Sequence, residues 1–220
     1  MMKKIVTILA LCLFSLSLWA QKAVHVGDVL CTDNTIVSIV DFAASGKKAM
    51  GVVFHVDDSG VHGLAVRLVQ PMTTYWNKSM VEIDGLTFAS SADNAILDMR
   101  GAQNTKAIIK NNLTPDTLYA AYVASVIANR EDGVEGWFLP SYGQMELMYH
   151  VLMDVDRTLD ILKSAGVKVN AIASGRYWTS TGCTTEKAMA RSMGYNSVAW
   201  SHLDPVEKTS FLNLRSVREF

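Results

Sequence analysis

Segments of β character lie at the two ends of this chain and enclose a helical middle, and this distribution restricts the fold more than any other feature. Near the N-terminus, three runs are rich in β-branched and aromatic residues: 35–42, 50–56 and 63–69. Near the C-terminus, four further strands are expected: 177–181, 187–193, 197–202 and 210–217. Because strands and helices do not alternate along the chain, the pattern predicts an α+β fold with mixed antiparallel sheets.

A β-hairpin is predicted around residues 57–60, Asp-Asp-Ser-Gly, because Gly60 can adopt the positive φ that such a loop needs. With a four-residue loop, His55 would lie opposite His62 on one face of the hairpin. Two imidazoles so placed, with Asp57 nearby, would offer ligands for zinc. The alternative is a pair of surface histidines, and no metal or other cofactor is predicted for the chain.

The middle of the chain carries several helix-start signals. Ser90 or Ser91 is expected to cap a helix that runs to residue 97, and Asn104 is expected near the start of a second helix. The sequence Thr-Pro-Asp at 114–116 predicts a third helix. Its four-residue spacing of apolar side chains predicts a stripe in the core: Leu118, Tyr122 and Val126.

A further helix is predicted after Pro140, because Ser141 and Gln144 have the spacing of a capping box. Apolar residues then recur at helical spacing, which predicts a buried face: Met145, Met148 or Tyr149, Leu152, Leu159 and Leu162.

Residues 1–20 have the order of a cleavable signal peptide: Lys3 and Lys4, a short apolar run, and Ala20 at the expected cleavage site. Cleavage would remove two lysines and no acid, which changes the formal net charge from −1 to −3. A chain so nearly neutral, with no basic stripe, is not expected to bind nucleic acid or an anionic membrane surface. We therefore expect an exported protein whose residues 21–220 form one α+β domain without membrane insertion, in the periplasm, on the outer surface or outside the cell.

The mature chain would keep two cysteines, Cys31 and Cys183, after Cys12 leaves with the signal peptide. In an oxidising compartment they are candidates for a disulfide. Two separate buried thiols are the alternative, because cysteine is also a common small core residue.

Three segments resemble a known family of exported bacterial proteins. They are Gly-Trp-Phe-Leu-Pro-Ser at 136–141 with Glu146 soon after, Tyr-Trp-Thr-Ser-Thr at 177–181, and Val-Arg-Glu-Phe at 217–220. In this order they resemble the Fibrobacter major paralogous domain, which is similar to the C-terminal domain of the Legionella collagen-like adhesin. The resemblance implies a C-type-lectin-like fold over about residues 95–220, preceded by a β-hairpin segment at 21–90. The chain departs from the family at Met189, where the family commonly has Trp.

The expected function is a non-catalytic module for recognition or adhesion at the cell surface, with an extracellular glycan or protein as its partner. No phosphate-binding loop, serine-hydrolase elbow or zincin motif occurs in the sequence. Aromatic and polar residues near predicted loops are the candidate ligand contacts: Tyr75, Trp76, Trp200, His202 and Asp204. For Trp76 and Trp200, packing in the core is the alternative. The alternatives are an enzyme that acts on surface glycans or proteins, and a structural component of a surface appendage.

The signal peptide yields the first prediction. Mass spectrometry of the protein from its native host is expected to find a mature N-terminus at or near Gln21, because Ala20 is the small residue at the end of the apolar run. An intact N-terminus, or one lipidated at Cys12, would contradict this prediction.

Overall fold

A computed structural model describes residues 23–69, 73–78, 80–112, 118–194 and 205–220. It confirms an α+β fold with two antiparallel sheets and several helices. The C-type-lectin-like assignment stays a prediction. Over the described ranges, no helix has both the length and the apolar character needed to cross a membrane.

The larger sheet joins the two ends of the described chain. Its strands are β1 (Val29–Cys31), β2 (Ile36–Val37), β3 (Ala49–Val56), β4 (Gly63–Arg67) and β8 (Val217–Glu219). They are arranged in the order β2-β1-β3-β4-β8, and all neighbours are antiparallel. The C-terminal strand β8 therefore completes a sheet that the N-terminal segment builds.

The smaller sheet has three antiparallel strands in the order β5-β6-β7. These are β5 (Gly175–Gly182), β6 (Lys187–Met193) and β7 (Val206–Glu207). The strands predicted at 177–181 and 187–193 are confirmed, whereas the strand predicted at 210–217 is wrong, since only Val217 of that run belongs to a strand of a sheet. The strand predicted at 197–202 lies outside the described residues.

The helices lie mostly between the two β regions. They are α1 (Ile39–Ser45), α2 (Ala92–Ile96), α3 (Gly101–Lys110), α4 (Ala120–Tyr122), α5 (Ala128–Asp132), α6 (Tyr142–His150) and α7 (Leu152–Ser164). A π-helical turn, Val123–Ile127, connects α4 and α5. The helix predicted near Asn104 begins three residues earlier, at Gly101.

The run at 35–42 is not a strand, although its composition favours one. Only Ile36–Val37 pairs in the sheet, and α1 begins at Ile39. The cause is local: the Ser38 hydroxyl accepts a hydrogen bond from Val40 N, and Gly46 ends the helix with a φ of 65°. Because the helix needs to bury only Phe42, it tolerates Val40 at 84% exposure.

The hairpin between β3 and β4 forms, but its register differs from the predicted one. Val56 pairs with Gly63 and His55 with Leu64, so the connection spans 57–62 and is six residues long. The Asp57 carboxylate accepts from Ser59 N at 2.9 Å and Asp57 N donates to the His62 carbonyl at 2.9 Å, so local bonds extend the loop. Gly60 has the expected positive φ, 74°. His55 and His62 are therefore not opposite each other, and the proposed zinc geometry is wrong.

The stripe predicted for the third helix is also wrong. Leu118 is 48% exposed, and Tyr122 and Val126 are only partly buried. The π-helical turn adds a residue to the turn and rotates the buried face. The side chains that enter the core are small ones: Ala120, Ala121, Val123, Ala124 and Ala128.

The capping box at the start of α6 is confirmed, since Ser141 N donates to Gln144 Oε1 at 3.0 Å. The predicted buried face of α6 and α7 is confirmed as well, with Met148 as its member and Tyr149 only partly buried. Together with Val155, which was not predicted, it packs on the larger sheet as the main core: Met145, Met148, Leu152, Leu159 and Leu162. Trp178 is fully buried in a second cluster, against the small residues of α4.

Asp98 links these elements from the connection between α2 and α3. It is 4% exposed, and its carboxylate accepts from Asn104 Nδ2 at 2.8 Å, Thr181 Oγ1 at 2.5 Å and Arg100 N at 3.0 Å. Its carbonyl accepts from Ser141 Oγ at 2.6 Å. One residue thus ties α3, α6 and β5 together.

The replacement Asp98→Ala is expected to lower the free energy of unfolding by about 2–4 kcal/mol, because it leaves several buried donors without an acceptor. Urea denaturation would measure the loss. The matched control is Asp93→Ala, an exposed acid in the first turn of α2, with an expected loss below about 1 kcal/mol. Equal losses in the two variants would contradict the role of Asp98.

Candidate functional site

The predicted ligand-binding aromatics at 75–76 are buried. Trp76 is 0% exposed and donates from Nε1 to the Thr179 carbonyl at 2.7 Å, while Tyr75 is 4% exposed and packs edge-on against Phe211. The prediction that they form an exposed contact surface is therefore wrong. The physical reason is that both rings complete the second cluster, around Trp178. Trp200, His202 and Asp204 lie outside the described residues.

The two cysteines do not form a disulfide in the structure, because both thiols are free. Cys31 lies in the main core on β1, whereas Cys183 packs against a separate small cluster that contains Met189. Burial raises the pKa of both thiols. The structure therefore agrees with the second expectation, in which the two cysteines are separate thiols.

The ammonium group of Lys208 is buried next to the indole ring of Trp76. Lys208 is 0% exposed, its Nζ lies 4.8 Å from the centre of the Trp76 ring, and it donates to the Thr185 carbonyl at 2.8 Å. Burial lowers the pKa of Lys208 to about 8. No ion pair of Lys208 occurs in the described ranges, so a π face and a carbonyl alone stabilise its ammonium group.

The candidate site is a cleft of about 620 Å³ beside the start of β3 and the end of β4. Helix α1 and the C-terminal ends of α5 and α7 form its walls. This volume is in the range of small-molecule sites. Apolar side chains dominate the floor: Phe42, Ala49, Met50, Leu68, Val69 and Val167.

One wall of the cleft is held by a buried ion pair. Arg67 is 2% exposed, and its guanidinium donates to both carboxylate oxygens of Asp132 at 2.7 Å and to Glu131 at 2.9 Å. Burial opposes the charged form of Arg67, but these hydrogen bonds outweigh it and raise the pKa of the guanidinium. The fork geometry fixes α5 on the end of β4.

The rim of the cleft carries lysines in two different states. Lys47 donates to Asp33 at 2.9 Å and to Thr35 at 2.6 Å. The hydrogen bonds from Thr35 and Lys47 lower the pKa of Asp33 to about 2. Lys48 and Lys168 are exposed, and neither has an ion pair within the part of the chain that the structure describes. Arg67 together with Asp132 and Glu131 carries a formal charge of −1, and Lys48 and Lys168 add two positive charges, so the net charge around the cleft is positive.

The cleft was not predicted from the sequence, because its residues come from five separate segments: 32, 42–50, 67–69, 131–132 and 165–168. The residue in the sequence that could have indicated this region is Arg67. A charged residue inside an otherwise apolar strand indicates a buried ion pair, and such a pair marks a place where an element packs on the sheet.

The fold is similar to that of a fimbrial protein from Bacteroides ovatus ATCC 8483. The match covers 90% of this chain with a TM-score of 0.67 and 16% sequence identity. It covers 49% of that protein, so the chain spans about half of its length. No protein-family model and no curated protein matches the chain. The likeness therefore concerns the fold, and the resemblance to the Fibrobacter family is not confirmed.

The buried Lys208 makes stability depend on pH in a defined direction. Its pKa is about 8 in the folded state against an ordinary 10.5, so below pH 8 the fold bears the full cost of the buried charge. As pH rises from about 8 to 10 the folded state releases the proton first, and the free energy of unfolding is expected to rise. The two thiols, whose pKa burial raises, oppose this rise above about pH 9. Above pH 10 Tyr142 opposes it as well, because burial raises its pKa to about 12.

The replacement Lys208→Met is expected to stabilise the protein at pH 7 by about 1–3 kcal/mol and to remove the rise between pH 8 and 10. Urea denaturation at several pH values would measure both effects. The control is Lys187→Met on β6, whose ammonium pairs with Glu207 at 3.4 Å near the surface. A variant at position 208 that keeps the wild-type pH profile would contradict the assignment.

Proposed function

We propose that this protein is a structural component of a bacterial surface appendage. The observation that carries the proposal is the shared fold, which extends over 90% of the chain and matches half of a fimbrial protein. The signal-peptide pattern of residues 1–20 is consistent with such a role, because appendage subunits must leave the cytoplasm. In this proposal the protein binds other proteins and does not catalyse a reaction.

Subunit contacts through the edges of the larger sheet would be short. The outer strands of the larger sheet are β2, with two residues, and β8, with three. Val217 of β8 is also bonded on its outer side, since Phe138 N donates to its carbonyl at 2.9 Å. Contacts in an assembly would therefore depend mainly on side chains.

A candidate contact patch lies at the end of α2, where three large apolar side chains are exposed within four residues. Leu97 is 76% exposed, and Ile96 and Met99 are 41% and 44% exposed. Exposed apolar residues in such a group are typical of protein–protein contacts, whereas single ones are common on any surface. In this proposal the patch meets another subunit of the same appendage.

The hypothesis that the protein is a recognition module stays a prediction, but fewer of its candidate ligand contacts remain. Its first pair of aromatics, Tyr75 and Trp76, is part of the core. Its remaining contacts are Trp200, His202 and Asp204, outside the described residues. A glycan or protein ligand would have to bind there or at a site that the sequence did not indicate.

Electron microscopy of native-host cells with gold-labelled antibody against this protein tests the proposed function. We expect labels along surface filaments in the wild type and their loss after gene deletion. Labels confined to the periplasm, or protein released into the medium without filaments, would contradict it.

The variant Leu97→Gln is expected to lower incorporation into filaments severalfold while the melting temperature stays nearly constant, because Leu97 contributes little to the core. Sedimentation of sheared filaments followed by immunoblotting would measure incorporation. The matched control is Val40→Gln on α1, a residue that is similarly exposed at 84% but stands alone. Equal incorporation of both variants would remove the patch from the proposal.

A further inference from the structure

The cleft beside β3 and β4 has an apolar floor that belongs to the main core. Phe42, Ala49 and Leu68 are members of that core, and Val69 and Val167 pack against it. The cleft is thus an opening of the core toward the surface, and an apolar ligand placed there would extend the packing of the main cluster.

The charge at the rim is positive and accessible. Lys48 follows α1 and Lys168 follows α7, so one amine stands on each of two walls. Both are exposed, and neither has an ion pair in the described ranges. The negative ends of the α1 and α7 dipoles account for part of the preference for lysine here, but they leave both amines free to pair with an anion.

Backbone groups of Leu68 and Lys48 at the cleft are already hydrogen-bonded within the protein. Leu68 N donates to the Met50 carbonyl at 3.2 Å, and the Leu68 carbonyl accepts from Asn170 N at 2.9 Å. The Lys48 carbonyl accepts from Thr32 N at 2.9 Å. An extended peptide is recognised largely through main-chain hydrogen bonds, so these occupied groups disfavour one.

The floor also differs from a surface that recognises sugars. Phe42 is the aromatic residue among the described lining, and it is 8% exposed. The remaining floor is aliphatic, which suits a flexible hydrocarbon chain better than a polar ring.

We propose that this cleft binds a single-chain anionic amphiphile of the fatty-acid class. The hydrocarbon chain lies on the floor of the cleft, and the carboxylate lies at the rim between Lys48 and Lys168. Arg67 shapes the wall and does not bind the carboxylate, because Asp132 and Glu131 accept from its Nε and Nη2 and the Val69 carbonyl accepts from its Nη1. The proposal is independent of assembly into an appendage.

Isothermal titration of the purified full protein with monomeric dodecanoate tests the site. We expect saturable binding, weaker binding of dodecan-1-ol, and a decrease of dodecanoate affinity at high salt. The double variant Lys48→Gln/Lys168→Gln is expected to bind dodecanoate about three- to tenfold more weakly and dodecan-1-ol unchanged. The control variant Lys163→Gln removes an exposed lysine of α7 that does not line the cleft, and it should bind as the wild type does.

A second variant tests the cleft without altering the core. Ala43 is exposed and lines the cleft, so Ala43→Trp should fill the cleft and abolish dodecanoate binding while the protein stays folded. Undiminished binding by this variant, or equal affinities for dodecanoate and dodecan-1-ol, would overturn the proposal. So would binding to phosphatidylglycerol vesicles without binding of free dodecanoate, or self-association through this cleft without dodecanoate binding.

Discussion

The buried carboxylate of Asp98 holds the centre of the molecule together. A buried anion is tolerated only when hydrogen bonds replace its hydration, and here Asn104 and Thr181 supply side-chain donors from α3 and β5. The packing of α6 against the rest of the molecule also depends on the loop that contains Asp98. Gly143 N donates to the Asp98 carbonyl at 3.1 Å, and a Cβ atom at Gly143 would collide with the carbonyl oxygens of Ile96 and Asp98. The first turn of α6 can therefore lie against this loop only with glycine at that position.

The segment between β4 and α2 is attached to the smaller sheet through indole groups. Trp76 donates to the carbonyl of Thr179 on β5, and Trp178 on β5 donates back to the carbonyl of Thr74 at 2.8 Å. These reciprocal bonds satisfy both buried N–H groups and fix the segment before α2 on the smaller sheet. Tyr75 and Trp76 are consequently part of the framework, and this explains why they are not exposed.

Local signals predicted part of this structure well. The Ser141–Gln144 capping box depends only on residues within one helical turn. In β5 and β6, the composition of the sequence and the burial of the side chains both favour a strand. Composition gave a wrong prediction where a side chain hydrogen-bonds to the nearby backbone. The Ser38 hydroxyl caps α1 within a β-branched run, and the Asp57 carboxylate accepts a hydrogen bond within the hairpin loop, which is longer than predicted. The cleft was beyond prediction, because its residues meet only through tertiary packing.

The two buried arginines Arg67 and Arg215 differ in how their positive charge is compensated. Arg67 is compensated by two carboxylates, whereas Arg215 is fully buried and donates from Nη2 to the Asn170 carbonyl at 2.6 Å. In the part of the chain that the structure describes, Nε and Nη1 of Arg215 find no acceptor, and burial lowers the pKa of this guanidinium to about 10. Asn170 also donates to the Leu68 carbonyl beneath the cleft, so Arg215 holds the segment that forms one side of the floor. Arg215 is thus a costly buried cation behind the cleft, whereas Lys48 and Lys168 at the rim are exposed to solvent.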